Sequence, residues 1–424
     1  MIFTFAAFVG MLFSGAPVVF ALGIAGALIL ITTTNTPLSL IALRIYAGLD
    51  SFPLMAIPFF VFAGLVMEKG GIARCIIDLA LSLVGWIRGS LYYVAILGGS
   101  GLSAISGSGS ADTAAIASML TPEMKRRKYD ADYSAAIVAS AGALGPIIPP
   151  SIMMVVFAMI SNLSVGAMFL GGIIPGILMA IGMMLVSYLF ARHEGNTDRQ
   201  EFTIRNVAYT AYRAVPALSL PFVIVGGIVG GIVTPTEAAC LAVIVGLIVS
   251  FFVYKELRIS DLPPMVIQTG AISAAVMMII ATASIFSWIV ASQNVPGVLG
   301  EWLQSVSDSA FLYLLIINVL LLIVGMFMES VASILILAPI LMPIAARFDI
   351  DPIHFAVVVC LNLSIGFITP PYGVCLYVAS TITGRTVSQV SRRIWIPLIP
   401  MIAVLLLCTY IPGLILWLPD MLIN

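Results

Sequence analysis

Long apolar stretches separated by short polar ones make up most of the chain. They cover residues 2–34, 51–68, 72–87, 131–161, 163–191, 211–232, 235–254, 262–291, 352–382 and 394–419. Runs of about 20 apolar residues match a hydrocarbon layer of roughly 30 Å, so ten membrane-crossing helices are expected. Two further stretches, 89–124 and 309–346, are broken midway by Ser106-Gly107-Ser108-Gly109-Ser110 and by Gly325-Met326-Phe327-Met328-Glu329-Ser330. Each half is too short to cross and return, so both are expected to be re-entrant hairpins. Irregular backbone at membrane depth survives only where protein or a watery cavity satisfies it, so the tips should not face lipid.

Two of the crossings carry breaks of their own, Gly145-Pro146-Ile147-Ile148-Pro149-Pro150 and Gly366-Phe367-Ile368-Thr369-Pro370-Pro371. A proline pair removes two backbone donors and collides with the preceding turn, so each helix must unwind there.

Composition narrows the class. Of 424 residues, 61% are apolar and only 9% charged, with a mean hydropathy of +1.17; a soluble domain carries roughly 25% charge. The bilayer is therefore the solvent. The first segment has no charged leader and is too long for a cleavable signal, so it is expected to be a retained span. Cys75, Cys240, Cys360, Cys375 and Cys408 lie in apolar segments without a CxxC pair and read as small core residues.

The net charge of −1 matters less than the placement of the basic residues. They cluster at Arg88, Lys125 to Lys128, Arg192 to Arg213, Lys255 with Arg258, and Arg385 with Arg392 and Arg393. Placing these loops in the cytoplasm agrees with the order of crossings and predicts a multi-pass membrane protein with both termini outside the cytoplasm.

An offset of 221 residues superposes the two interrupted regions without a gap: Pro122, Asp130, Gly145, Pro149 and Pro150 meet Pro343, Asp351, Gly366, Pro370 and Pro371. Residues 1–192 and 211–424 then form two repeats joined by a cytoplasmic linker, 193–210. Each holds a hairpin (89–124, 309–346) and a broken helix (131–161, 352–382). Five crossings per half is an odd number, which would invert the second copy. The fold class expected is an all-α polytopic membrane protein of two inverted repeats. Paired interruptions of this kind point to a transport site near the midplane.

Broken helices aim partly positive N-termini at anions, while freed carbonyls and hydroxyls hold dehydrated cations such as sodium. One cation site is expected between the Ser106 to Ser110 tip and the Gly145 to Pro150 break. A second is expected between Gly325 to Ser333 and Gly366 to Pro371. Small residues also serve close helix packing, and only the matched glycines and prolines tip the balance toward sites. Asp112 and Glu329 stand beside the tips in stretches otherwise free of charge; such carboxylates are costly in a membrane and count as pathway candidates, with a helix-capping role as the structural alternative.

Other charges read as structural. Thr234-Pro235-Thr236-Glu237 is a capping box, Arg74 and Asp78 are spaced to pair along a helix, and Lys125 to Lys128 form a solvated anchor, not a nucleic-acid patch. His193 and His354 lack an HExxH or Cys/His cluster, and none of Lys69, Lys125, Lys128 and Lys255 sits in a phosphate loop. A membrane-embedded enzyme would need a nucleophile and base cluster that the sequence does not offer. Transport must be passive, ion-coupled or driven by another chain.

The segments GSGSADTAAIASMLTPEM, GPIIPPS, TPTEAA and GFITPPYG, in this order and spacing, resemble the large membrane subunit (DctM/SiaM type) of tripartite ATP-independent periplasmic (TRAP) transporters. The likeness runs the length of the chain. It implies sodium-coupled import of an organic acid by an elevator motion. It also implies two partners: a small membrane subunit (DctQ/SiaQ type), expected as a separate chain, and a periplasmic substrate-binding protein (DctP/SiaP type). By that resemblance Ser106, Gly107, Ser108 and Asp112 match the first hairpin motif, with Gly145, Pro149 and Pro150 in its broken partner; Gly325, Glu329, Ser330, Gly366, Thr369 and Pro370 take the second-half positions. It leans toward a sialic acid over a C4-dicarboxylate substrate. A stand-alone ion-coupled carboxylate symporter or a cation antiporter is the alternative.

Overall fold

The computed structural model describes residues 10–11, 18–33, 37, 39–194, 201–306 and 309–423. Most of the expected crossing before residue 18, and linker residues 195–200, lie outside these. Among the described residues there is no β-strand. The first half contains α1 (Val18–Thr33), α2 (Ser39–Leu49), α3 (Ala56–Lys69), α4 (Ile72–Val84), α5 (Ser90–Ser106), α6 (Gly109–Arg126), α7 (Ala131–Gly142), α8 (Ile152–Ile160) and α9 (Val165–Glu194). After α10 (Ile204–Val229) come α11 (Pro235–Ile248), α12 (Leu262–Ser292), α13 (Val295–Val306), α14 (Ala310–Phe327), α15 (Ser330–Arg347), α16 (Pro352–Gly366), α17 (Val374–Thr383), α18 (Val387–Tyr410) and α19 (Gly413–Leu422). Eight helical segments among the described residues are long and apolar enough to cross a bilayer. The chain is an all-α polytopic membrane protein.

Both interrupted stretches are helical hairpins, α5–α6 and α14–α15, and both proline-paired crossings are helix, break, helix: α7–α8 and α16–α17. Matched caps start the broken helices. Asp130 Oδ1 accepts from the Tyr133 amide at 2.7 Å, and Asp351 Oδ1 from the His354 amide at 2.9 Å; such caps are worth about 1 kcal/mol each. One rung further in, Tyr133 Oη lies 2.8 Å from Ser187 Oγ, and His354 Nε2 lies 2.9 Å from the Cys408 carbonyl. Both partners of the second pair stand 221 positions after those of the first. The Thr234–Glu237 capping box forms as expected.

The basic loops of the two halves meet on one rim. Arg385 Nε lies 2.5 Å from Asp132, Arg393 3.4 Å from Asp130, and Glu194 accepts from the Asp130 amide at 2.8 Å. Arg74, spaced to pair with Asp78, instead reaches Glu256 at 3.2 Å.

Residues 72–87, expected as a third crossing, do not provide one. Helix α4 has 13 residues, about 20 Å at 1.5 Å each, short of the roughly 30 Å layer. It runs back along α5, with Gly98 against Ile77 and Gly101 against Ile76. Its 221-offset counterpart is α13, a 12-residue helix that the apolar pattern did not reveal. Losing one crossing changes the sense of what precedes it. Gly23 packs on Thr282 and Gly26 on Ile285, so α1 runs parallel to α12. Arg393 stacks on Phe190 and Pro400 packs on Gly182, so α18 runs antiparallel to α9. Since α10, α11 and α12 alternate from the end of α9, both α1 and α18 point away from the basic rim.

Candidate functional site

The first hairpin turns on Gly107, whose φ of 62° lies in the left-handed region that glycine alone enters freely. A Cβ there would also lie 3.2 Å from Ser151 Cα and 3.3 Å from the Ile152 amide, so the tip rests directly on the backbone that follows the first break. Helix α6 then places Asp112 in its first turn, 2% exposed. The carboxylate accepts from Ser106 Oγ at 2.5 Å and from Ser103 Oγ at 3.1 Å, while Ser106 Oγ accepts from the Ser108 amide at 3.1 Å. Gly145, at the first break, sits against this cluster: a Cβ would meet Asp112 Oδ2 at 2.8 Å and the Gly109 amide at 2.9 Å. Pro149 and Pro150 are buried beside it.

The second tip repeats the approach with backbone alone. A Cβ on Gly366 would lie 2.7 Å from Gly325 Cα, so the α14 end of the tip and the second break are in backbone contact. Glu329 caps α15, accepting from the Ala332 amide at 3.1 Å, and its side chain stays exposed. Ser330 Oγ is buried and has no hydrogen-bond partner among the described residues. Thr369 Oγ1 donates to the Ile365 carbonyl at 2.8 Å and closes the turn into Pro370. The structure thus brings Ser106, Gly107, Ser108, Asp112 and Gly145 together, and Gly325 with Gly366. Glu329 forms the helix cap weighed as its structural alternative.

The two breaks also touch each other. Ser364 Oγ donates to the Ala143 carbonyl, and a Cβ on Gly109 would meet Phe367 at 3.1 Å and Cys375 Sγ at 3.3 Å. The polar side chains at both tips, Ser106, Ser108 and Asp112 at the first and Glu329 and Ser330 at the second, offer oxygen atoms, the type that suits hard cations.

A cavity of about 110 Å³ opens beside the first tip, lined by Ser106, Ser108 and Asp112 on one side and by Glu68 on α3 opposite. Sequence reasoning missed Glu68, because it ends an apolar run and is followed by Lys69, which reads as a solvated boundary. It also missed Ser103, although a serine one helical turn before Ser106 marks the same face. Asn362, on α16, was missed as well: its amide donates to Asn318 Oδ1 at 2.8 Å in a fully buried pair.

Residues 5–414 match the tripartite ATP-independent periplasmic transporter, DctM component, family. The chain is 40% identical over 402 residues to the isethionate TRAP transporter permease protein DctMQ of Oleidesulfovibrio alaskensis, covering 94% of this chain and 63% of that protein. It is 36% identical to the C4-dicarboxylate TRAP transporter large permease protein DctM of Rhodobacter capsulatus over 99% of this chain and 98% of the relative. Identity to the sialic acid TRAP transporter large permease protein SiaM of Vibrio cholerae is also 36%, over 97% and 96%. An all-α membrane fold with tip-to-break contacts and a match across nearly the whole chain lead to one assignment: the chain belongs to the DctM component family of TRAP transporters, and is a transporter subunit, not an enzyme.

Proposed function

We propose that this chain is the carrier subunit of a sodium-coupled uptake system for an organic acid. It works with a small membrane subunit and a periplasmic binding protein, in the inner membrane with the basic rim toward the cytoplasm. The observation that carries the reading is the pairing of each hairpin tip with the break of its own half, Gly145 on Asp112 and Gly366 on Gly325. The first pairing gathers hydroxyl and carboxylate oxygens at the start of α6, and the second joins the C-terminal ends of α14 and α16, where freed carbonyls suit a cation. The names of the relatives supply the substrate class, organic acids such as isethionate, C4-dicarboxylates and sialic acid.

The matched caps, the matched Tyr133–Ser187 and His354–Cys408 contacts and the α4–α13 correspondence support two repeats. With α4 not crossing, the single extra helix α10 becomes the element that inverts the second copy. In this reading two sodium ions bind, one near Ser106, Ser108, Gly145 and Pro149, the other near Gly325, Ser330, Gly366, Thr369 and Pro370. The hairpins and broken helices move as one body against α1, α3 and α10 to α12, an elevator motion, with the cavity between Glu68 and Asp112 at the sliding boundary.

The test is uptake of labelled organic acids into liposomes holding the chain and its small subunit, with the binding protein outside and sodium gradients of both signs. Uptake should follow an inward sodium gradient and require all components. Equal uptake with no sodium would overturn the coupling, and full uptake by the chain alone would replace the tripartite reading with a stand-alone symporter.

A further inference from the structure

The cavity beside the first tip has an unusual charge inventory for a site that accepts an anion. Its two charged lining residues, Glu68 and Asp112, are both acids, and the rest of the wall is aliphatic or small, as with Val61, Leu65, Ile152 and Ile272. Every lysine and arginine except Arg199 belongs to the described residues, and none lines the cavity. The two acids differ in what they can still do. Asp112 is buried and already accepts from two serine hydroxyls. Glu68 is exposed to the cavity side of α3 and receives no hydrogen bond from a described residue.

An anionic head group has one favourable place here, the start of α6 where Ser108 and Ala111 line the cavity, helped by the cation proposed above. The rest of the molecule then extends across the cavity toward α3 and meets Glu68. A second anionic group there would face a like charge across an apolar gap, where such contacts are costly and poorly screened. A hydroxyl, amide or ammonium group would instead give Glu68 the donor it lacks. We propose that the cavity selects a singly charged organic acid carrying a hydrogen-bond donor at the end away from its acid group, that it disfavours dicarboxylates, and that Glu68 is the residue that sets this preference. The inference rests on this cavity being the transport site.

The test uses the full-length chain in nanodiscs with sodium chloride, and reads how far glycerate and succinate each slow maleimide labelling of Ile272→Cys, a position in the cavity wall. Glycerate should protect at a concentration at least about tenfold below succinate, the discrimination a single hydrogen-bonding and charge contact supplies. Glu68→Gln should bring the two within about threefold of each other, because the like-charge contact is gone, and Glu68→Asp should keep the preference. Monodisperse elution of both variants confirms that they fold. Succinate protecting as well as glycerate in the parent chain, or a ratio unchanged by Glu68→Gln, overturns the inference while leaving the cavity as the site. Failure of both anions to protect removes the site itself, and the inference with it.

Discussion

Ser364 Oγ donates to the carbonyl of Ala143, and the two residues stand 221 positions apart, the same offset that aligns the breaks. Under the proposed repeat each is the other's counterpart, and they touch beside the two breaks. A contact between counterparts is what an axis relating two halves produces. Removing the hydroxyl with Ser364→Ala leaves a buried carbonyl without its donor, at a cost of about 1–3 kcal/mol. The expected outcome is a lower unfolding midpoint in detergent, and an unchanged midpoint would mean that the contact carries no weight.

Asp112→Asn keeps the shape of the first tip and removes its charge. Sodium-driven uptake should fall by about tenfold or more, equivalent to about 1.4 kcal/mol of lost interaction, with Ser106→Ala acting in the same direction. Folding, read by size-exclusion profile, should persist. Full uptake by Asp112→Asn would reduce the cluster to a packing device.

The glycines at the breaks are steric requirements. Gly366→Ala would set a methyl 2.7 Å from Gly325 Cα, and such overpacking costs about 1–3 kcal/mol. Gly270 on α12 has nothing within 4 Å of its added carbon. Gly270→Ala should then be neutral or stabilising by up to about 1 kcal/mol, since glycine within a helix is unfavourable. Parallel thermal melts of the two variants check the contrast, and equal behaviour would remove the close approach as an explanation.

The rim pair Asp132–Arg385, at 2.5 Å and partly exposed, joins the start of α7 to the loop after α17. A double-mutant cycle with Asp132→Asn and Arg385→Gln should give a small favourable coupling that shrinks at high salt, as expected for a solvent-accessible pair. Zero coupling at low salt would show the two loops to be held by packing alone.

The breaks and hairpins could be read from the chain because glycine, proline and short polar runs act locally, through missing donors and forbidden torsions. The Thr234 capping box was legible for the same reason, whereas Asp130 and Asp351 stood out only as a matched pair. Helices α2 and α13 were not: each is short, and each depends on a neighbour to hold it. The apolar run at 72–87 gave no sign of stopping short, since hydropathy measures contact with an apolar environment and not depth, and α4 finds that environment along α5. Glu68 escaped because its meaning lies in what faces it, Asp112 across a cavity, and no spacing along the chain encodes that relation. Arg74 chose Glu256, distant in sequence, over Asp78 one turn away, which tertiary folding alone decides.

Both tips rest on backbone, but the first adds a side-chain cluster, Ser103, Ser106 and Asp112, whereas the second meets its break through the bare backbone of Gly325 and Gly366 alone. A protein engineer therefore has a dial at one end and a fixed stop at the other. Ion or substrate preference can be retuned by exchanging hydroxyls and carboxylates around Asp112, while at the second tip even a single added carbon has nowhere to go.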